Sequence, residues 1–250
     1  MKTSFGTLHI RHFMNLIFCM VALALFQVPA LYAQGNPQDP LEGFNRRVFD
    51  FNLTIDKHLV EPVASTYVRA VPEPLRNMVG NFFGNIGDVW SATNHLLQGK
   101  PGQAFHMVGR VFINTSVGLL GVLDVATVSG VERHSEDFGQ TLGVWGMKSG
   151  PYIVLPLLGS STLRDAAAIP LDRSIYNVTL PQESDRRIWF TATQAINGRA
   201  NALALTRLLD NVALDKYIFV RDAYLTRRQS LVYDGDVPVS NPNIDQENED

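Results

Sequence analysis

The chain of 250 residues predicts a mainly α-helical single domain, broken once in its middle by an irregular glycine- and proline-rich segment. Three observations carry that expectation. Leu41, Phe44, Val48, Phe51, Ile55 and Leu59 recur at steps of three and four, which is one apolar stripe of a helix. Further helical patterns run from about Leu75 to Leu97, from Gln103 to about Leu123, and again beyond Pro181. From Phe138 to Pro156, by contrast, glycine and proline dominate, and only Tyr152-Ile153-Val154-Leu155 reads as a short strand.

Taken in order, residues 1–33 read as a secretory signal. Lys2 and Arg11 give a positive start, Phe13 to Phe26 is a charge-free apolar run, Pro29 breaks it and Ala33 offers a small residue for cleavage. An uncleaved anchor is the alternative, although the run is shorter than the roughly 20 apolar residues a bilayer-spanning helix needs. Cys19, the single cysteine, lies inside the run behind bulky Phe18, which argues against lipid attachment there. Removing the signal takes away two positive charges and moves the formal charge from −3 to −5, the wrong sign for a nucleic-acid binder.

The first helix should stop at Pro62, because proline lacks a backbone donor and its ring crowds the preceding turn. Pro72 and Pro74 punctuate before the second helix, which is apolar over more than one face (Met78, Val79, Phe82, Phe83, Ile86, Val89, Trp90, Leu97). Gly80, Gly84 and Gly87 interrupt it. They suggest close approach of another backbone, either in lipid, where Gly80 and Gly84 fit small-xxx-small spacing, or in an ordinary tight core. The third helix carries Phe105, Val108, Phe112 and Leu119 on one side. Ser160 to Ala168 looks like a short helix with Arg164 and Asp165 inside it, paired with each other or with nearby backbone in preference to contacting a headgroup. Ser184 or Asp185 should cap a long helix over Arg186–Asn211, and Asp215 should start the last one. The domain is expected over 34–233. Residues 234–250 hold little apolar bulk and end in acids, so they are expected to be a disordered tail.

No catalytic constellation emerges. Gly139-Gln140-Thr141-Leu142-Gly143 has the spacing of a nucleophile elbow but lacks the strand before it and the usual serine, so loop geometry is the preferred account of its glycines. His58, His95, His106 and His134 form no metal-type pair at helical spacing. His134-Ser135-Glu136-Asp137 is a possible hard-cation cluster, read in preference as a solvated turn. There is no phosphate loop and no dinucleotide fingerprint. The expectation is no enzyme, no cofactor and no metal. After the signal, the longest charge-free run, Ser149–Leu163, contains Gly150, Pro151, Pro156 and Gly159. Any membrane association must therefore be lateral, through amphipathic faces.

Several motifs in order resemble one family. They begin with Asp39-Pro40-Leu41-Glu42-Gly43-Phe44-Asn45-Arg46, Phe51-Asn52 and Pro72 through Phe82. Asn94, Leu97-Gln98-Gly99, Arg110 through Thr115 and Gly118 through Asp124 follow. The most specific are Phe138-Gly139-Gln140-Thr141-Leu142-Gly143 and Gly150 through Pro156, before Gly159-Ser160 and Leu163-Arg164-Asp165. The chain resembles the MlaA (VacJ) family of outer-membrane phospholipid-transport proteins from about Asp39 to Leu231.

The resemblance implies a membrane-embedded ring of amphipathic helices, with a Gly/Pro-rich loop or short hairpin, in the inner leaflet of the outer membrane. It implies a non-enzymatic conduit that removes mislocalised phospholipid from the outer leaflet and so maintains lipid asymmetry. The expected partners are an outer-membrane porin trimer and a periplasmic carrier of the MlaC type. Many members carry an acylated cysteine at the signal end, which this sequence lacks. Phe44, Asn45, Phe51, Asn52, Phe82, Gly150, Pro151, Tyr152 and Pro156 are the channel-lining or membrane-facing candidates, with Asn45 and Asn52 sharing one polar helix face. A soluble periplasmic lipid-binding or scaffold protein is the alternative.

Overall fold

The computed structural model describes residues 36–179 and 183–238. The expected signal at 1–33, and the tail beyond residue 238, lie outside the described residues. Helix α1 spans Glu42–Ile55. Pro62 does not end the helical run. A π-helical turn, Asp56–Val60, precedes it, and the Glu61 N–H reaches back five residues to the Asp56 carbonyl. This wider turn re-registers the backbone, so Pro62 sits in the first turn of α2 (Glu61–Ala70), where its missing donor is tolerated.

Val71 is extended ahead of Pro72, as the residue before a proline prefers, and α3 follows over Glu73–Leu97. α4 covers Pro101–Ser116 and ends sooner than its periodicity suggests. Leu119 and Leu120 take left-handed backbone (φ 54 and 60), and the chain folds back so that the Gly121 N–H meets the Asn114 carbonyl at 2.8 Å. Asp124 then caps a single turn, α5 (Val125–Val128).

The Gly/Pro-rich middle is more ordered than expected. Asp137 accepts a hydrogen bond from the Gln140 N–H and starts α6, Phe138–Val144. Strand β1 (Tyr152–Leu155) pairs antiparallel with β2 (Gly159–Thr162), Tyr152 opposite Thr162 and Leu155 opposite Gly159. The short-hairpin expectation therefore holds. α7, Leu163–Thr179, takes up where β2 ends and runs through Pro170. It is longer than expected, and Arg164 and Asp165 lie in its first turn rather than its interior. α8 spans Ser184–Val212, and its N-cap position falls on Glu183, one residue ahead of the expected Ser184 or Asp185. Asp215 does cap α9, Lys216–Val232, accepting from the Ile218 N–H.

The contacts between elements close a circuit. α1 packs on β1, and β2 touches α7 and α9. α7 packs on α6 and α3, α3 on α8, and α8 on α2, which continues α1. Ion pairs and polar bonds fasten the joints. Arg199 of α8 grips Asp56 of the π-turn through two 2.7 Å bonds. Asp172 of α7 accepts from the Trp90 indole of α3 at 2.7 Å and from the Phe138 N–H of α6 at 2.9 Å. A closed circuit of this kind is what a ring of helices requires.

Burial is inverted relative to an ordinary core. Among the described residues 13 apolar side chains are buried, six of them alanine, against 18 polar or charged ones. Large apolar residues such as Phe105, Phe112, Leu119, Leu120, Val128 and Trp189 are exposed instead. Apolar exposure on this scale marks a surface made to meet something other than water. Among the described residues, no helix is long and apolar enough to cross a membrane.

Candidate functional site

Three polar clusters hold the interior. In the first, Arg110 of α4 is fully buried. Its guanidinium donates to Asp124 at 2.9 and 3.0 Å, to Thr127 at 3.0 Å, to the Val131 carbonyl, and at 3.4 Å to Asp88 of α3. Arg133 reaches the other oxygen of Asp88 at 2.9 Å. Burial pushes the Asp88 carboxyl up in pKa despite the two arginines. Burial also opposes ionising Asp124, but bonds from Thr127 and Asn114, and then from Arg110, outweigh it and hold its pKa at about 2.

The second cluster joins α6, α7 and α9. Arg228 donates to both oxygens of Asp137 at 2.6 Å and to Asp165 at 3.0 Å, while the Tyr224 hydroxyl donates to Asp165 at 2.9 Å. Arg164 pairs with Asp165 at 2.9 Å, as the sequence suggested. Burial alone would raise the Asp165 pKa, but Arg228, and then Arg164, reverse the shift and lower it. The elbow-like glycines serve this cluster and are helical rather than looped. A Cβ on Gly139 would lie 2.5 Å from an Arg228 nitrogen, and one on Gly143 would lie 2.7 Å from Arg164. Gly84 of α3 likewise gives room to the Arg133 guanidinium, at 2.6 Å from its would-be Cβ, and no backbone approaches it.

Thr141 is buried in α6, its hydroxyl donating to Asn94 at 2.7 Å and accepting from Gln98. No strand precedes it, so the elbow is not built. His134–Asp137 is solvated only in its first half, at His134 and Ser135. Glu136 is buried beside Gln98, its pKa raised by burial, and Asp137 is bound by Arg228. Among the described residues, no group of three or more His, Cys, Asp or Glu is placed to hold a metal ion.

The third cluster ties α1 to the hairpin and to α9. Asn45, 0% exposed, donates to Asp39 at 2.8 Å and to the Tyr152 carbonyl at 3.1 Å, and accepts from the Val154 N–H at 2.9 Å. Two turns on, Asn52 donates to the Leu155 carbonyl at 2.9 Å and accepts from the Leu157 N–H at 2.8 Å. The shared polar face of these two asparagines is real, and it is occupied by hairpin backbone. Asp39 also accepts from the Tyr217 hydroxyl at 2.5 Å and from Arg221 at 3.2 Å. Tyr152, 0% exposed, packs against Tyr217 and Tyr224. Neither Asn45 nor Tyr152 presents a surface to lipid or to a channel in this arrangement.

The remaining candidates are dispersed. Phe44 and Phe51 are exposed on α1, and Phe82 is half-buried in a cluster with Phe83 and Phe190. Pro151 and Pro156 are half-buried at the two ends of β1. Gly150 lines a pocket of about 430 Å³ together with Lys148, Arg164, Arg228 and Tyr233.

Larger hollows went unnoticed in the sequence, and two of them border α9. A groove of about 910 Å³ follows one face of α9, with Leu214, Ile218, Phe219, Ala223, Arg227 and Leu231 in its lining. A cleft of about 490 Å³ lies between α3 and α9. Gly84, Asp88 and Ser91 form one side, Tyr224, Arg227, Arg228 and Leu231 the other, and Arg133, Glu136 and Asp137 lie between. Arg227 and Leu231 line both hollows. A mostly apolar groove therefore meets a cleft that carries several charged residues, and the two share Arg227 and Leu231. The helix beginning at Asp215 was legible, but nothing in its pattern says that this face is open.

The family model described as MlaA lipoprotein matches residues 37–231. The chain belongs to the MlaA family. It is 37% identical over 215 residues to the intermembrane phospholipid transport system lipoprotein MlaA of Shigella flexneri, covering 84% of this chain and 85% of the relative. It is 34% identical over 201 residues to the protein of that name from Haemophilus influenzae, covering 79% and 80%. A solved structure described as the "Structural basis for maintenance of bacterial outer membrane lipid asymmetry" superposes with a TM-score of 0.66 at 35% identity. That match covers 78% of this chain and 98% of the other. All three hollows draw their linings largely from the stretch that matches the MlaA family model.

Proposed function

We propose that this chain is a non-enzymatic phospholipid conduit of the outer membrane, which removes mislocalised phospholipid from the outer leaflet and hands it to a soluble carrier in the periplasm. The observation that carries the reading is the inverted burial of a closed helical circuit. Large apolar side chains are exposed, polar clusters are buried, and an apolar groove and a cleft carrying charged residues meet at Arg227. An amphiphile needs both kinds of wall. The 37% identity to an intermembrane phospholipid transport lipoprotein supports the same reading.

The proposed seat is the inner leaflet, reached after export by the signal at 1–33. Phe44 and Phe51 of α1 are proposed lipid contacts, and Gly150 a wall of the smaller pocket. Asn45, Asn52 and Tyr152 work one layer behind, holding the hairpin in place. Pro151 and Pro156 fix the ends of β1, and Phe82 braces α3 against α8. A porin trimer and an MlaC-type carrier are the proposed protein partners. The test is deletion of the gene. Outer-leaflet phospholipid should rise and return to normal on complementation, and the protein should fractionate with outer membranes. Unchanged outer-leaflet lipid would refute the conduit. A chain recovered in the soluble periplasm would favour a lipid-binding or scaffold protein instead.

A further inference from the structure

We infer that Arg227 binds the phosphodiester of the transported lipid, at the point where the polar cleft opens into the apolar groove. The inference rests on the conduit reading and adds the residue that recognises the cargo. Its basis is a contrast with the arginines of the three polar clusters. Arg110, Arg133, Arg164, Arg221 and Arg228 all have carboxylate partners within the fold. Among the described residues Arg227 makes no hydrogen bond or ion pair, although Asp88, Glu136 and Asp137 line the same cleft. The first is engaged by Arg110 and Arg133, the second by Gln98 and the third by Arg228.

A guanidinium presents a planar fork of donors that matches phosphate oxygens, and it is always charged. On one side of Arg227 the groove continues past Ala223, Phe219, Ile218 and Leu214, which suits acyl chains, while its two carboxylates, Asp215 and Asp222, are paired with Arg46 and Arg221. On the other side the cleft carries the charged side chains of Arg133, Asp137 and Arg228, which suit a headgroup. The groove, at about 910 Å³, is near the upper end of ordinary ligand pockets, which run to roughly 1,000 Å³. An anion joined directly to apolar chains fits this order of walls. A free phosphate would use the arginine and leave the groove empty.

The experiment uses the full chain in cells, with a photocrosslinking phenylalanine at Phe219 and two labels, radioactive phosphate and radioactive acetate. Arg227→Gln and Arg227→Glu should lower the doubly labelled adduct at least about tenfold, the scale of one charge-assisted hydrogen bond. Arg227→Lys should keep most of it. Because Arg227 is exposed and unpaired, the thermal melts of all variants should match the parent. An adduct undiminished in Arg227→Gln overturns the inference and leaves the conduit standing. An adduct carrying phosphate label without acyl label also overturns it. No adduct in the parent rules out this groove as the lipid's path and takes the inference with it. The conduit reading itself is judged separately, by the outer-leaflet lipid of the deletion strain.

Discussion

On one face of α4 lie Ala104, Met107, Arg110 and Asn114, all buried, while Phe105, Val108 and Phe112 on another are 76%, 53% and 70% exposed. In a water-soluble helix the phenylalanines would be inside. Here they face outward, and the inner face keeps its arginine and asparagine, each satisfied within the fold. The difference teaches that an apolar stripe marks a face and leaves open which solvent that face meets. Lipid as the surroundings removes the contradiction. Phenylalanine loses nothing by staying outside, and a buried arginine persists because its donors are met.

The sharpest way to break this contrast is on the inner face. Arg110→Ala deprives buried Asp88 and half-buried Asp124 of a shared partner, although Arg133 still reaches both. Breaking a buried pair from one side typically costs about 3–5 kcal/mol. The purified protein in detergent should lose stability on that scale in denaturant titrations. A loss below about 1 kcal/mol would mean that the cluster is solvated and that the two faces do not differ as described.

A smaller effect is expected one helix away. Asn45→Ala removes three hydrogen bonds and strands the Val154 N–H and one Asp39 oxygen inside the fold. An unsatisfied buried group costs roughly 1–3 kcal/mol, so a net loss of about 2–3 kcal/mol is expected. Hydrogen exchange should quicken first at Tyr152–Leu155, because β1 has lost its tie to α1. Exchange that quickens equally everywhere would show that Asn45 braces the whole ring and does not clamp the hairpin in particular.

These two sites also show what could and could not be read from the chain. The stripes on α1 and α4, the strand at Tyr152–Leu155 and the Asp215 cap depend on neighbours a few residues apart, and all were legible. The shared face of Asn45 and Asn52 was legible too, but its partner lies more than 100 residues away, and periodicity carries no information about it. The partners of Arg228 are also far along the chain, Asp137 by 91 residues and Asp165 by 63. Pro62 misled for another reason. The rule that proline ends a helix assumes an α-helical turn before it, and a π-turn at Asp56–Val60 relaxes that condition. Arg227 was invisible because an unpaired surface arginine looks like any other until the fold places a groove on one side and a cleft on the other.

The smallest effect on stability, and the clearest readout of surroundings, is expected on the outer face of α4. Phe105→Ser with Phe112→Ser removes two rings that the folded chain does not bury. Exposed positions of this kind usually change stability by within about 0.5 kcal/mol, so the detergent-solubilised melt should hardly move. Membrane retention should fall nevertheless, because each ring withdrawn from lipid forfeits about 1.5–3 kcal/mol of transfer energy. Carbonate or high-salt extraction of membranes separates the two quantities. If the double variant melts far below the parent, the phenylalanines belong to a core, and the helix is not inverted. If it melts normally and is still held in the membrane as firmly as the parent, lipid is not what covers this face. Only an unchanged melt with increased extraction fits a helix whose apolar stripe looks outward into a bilayer.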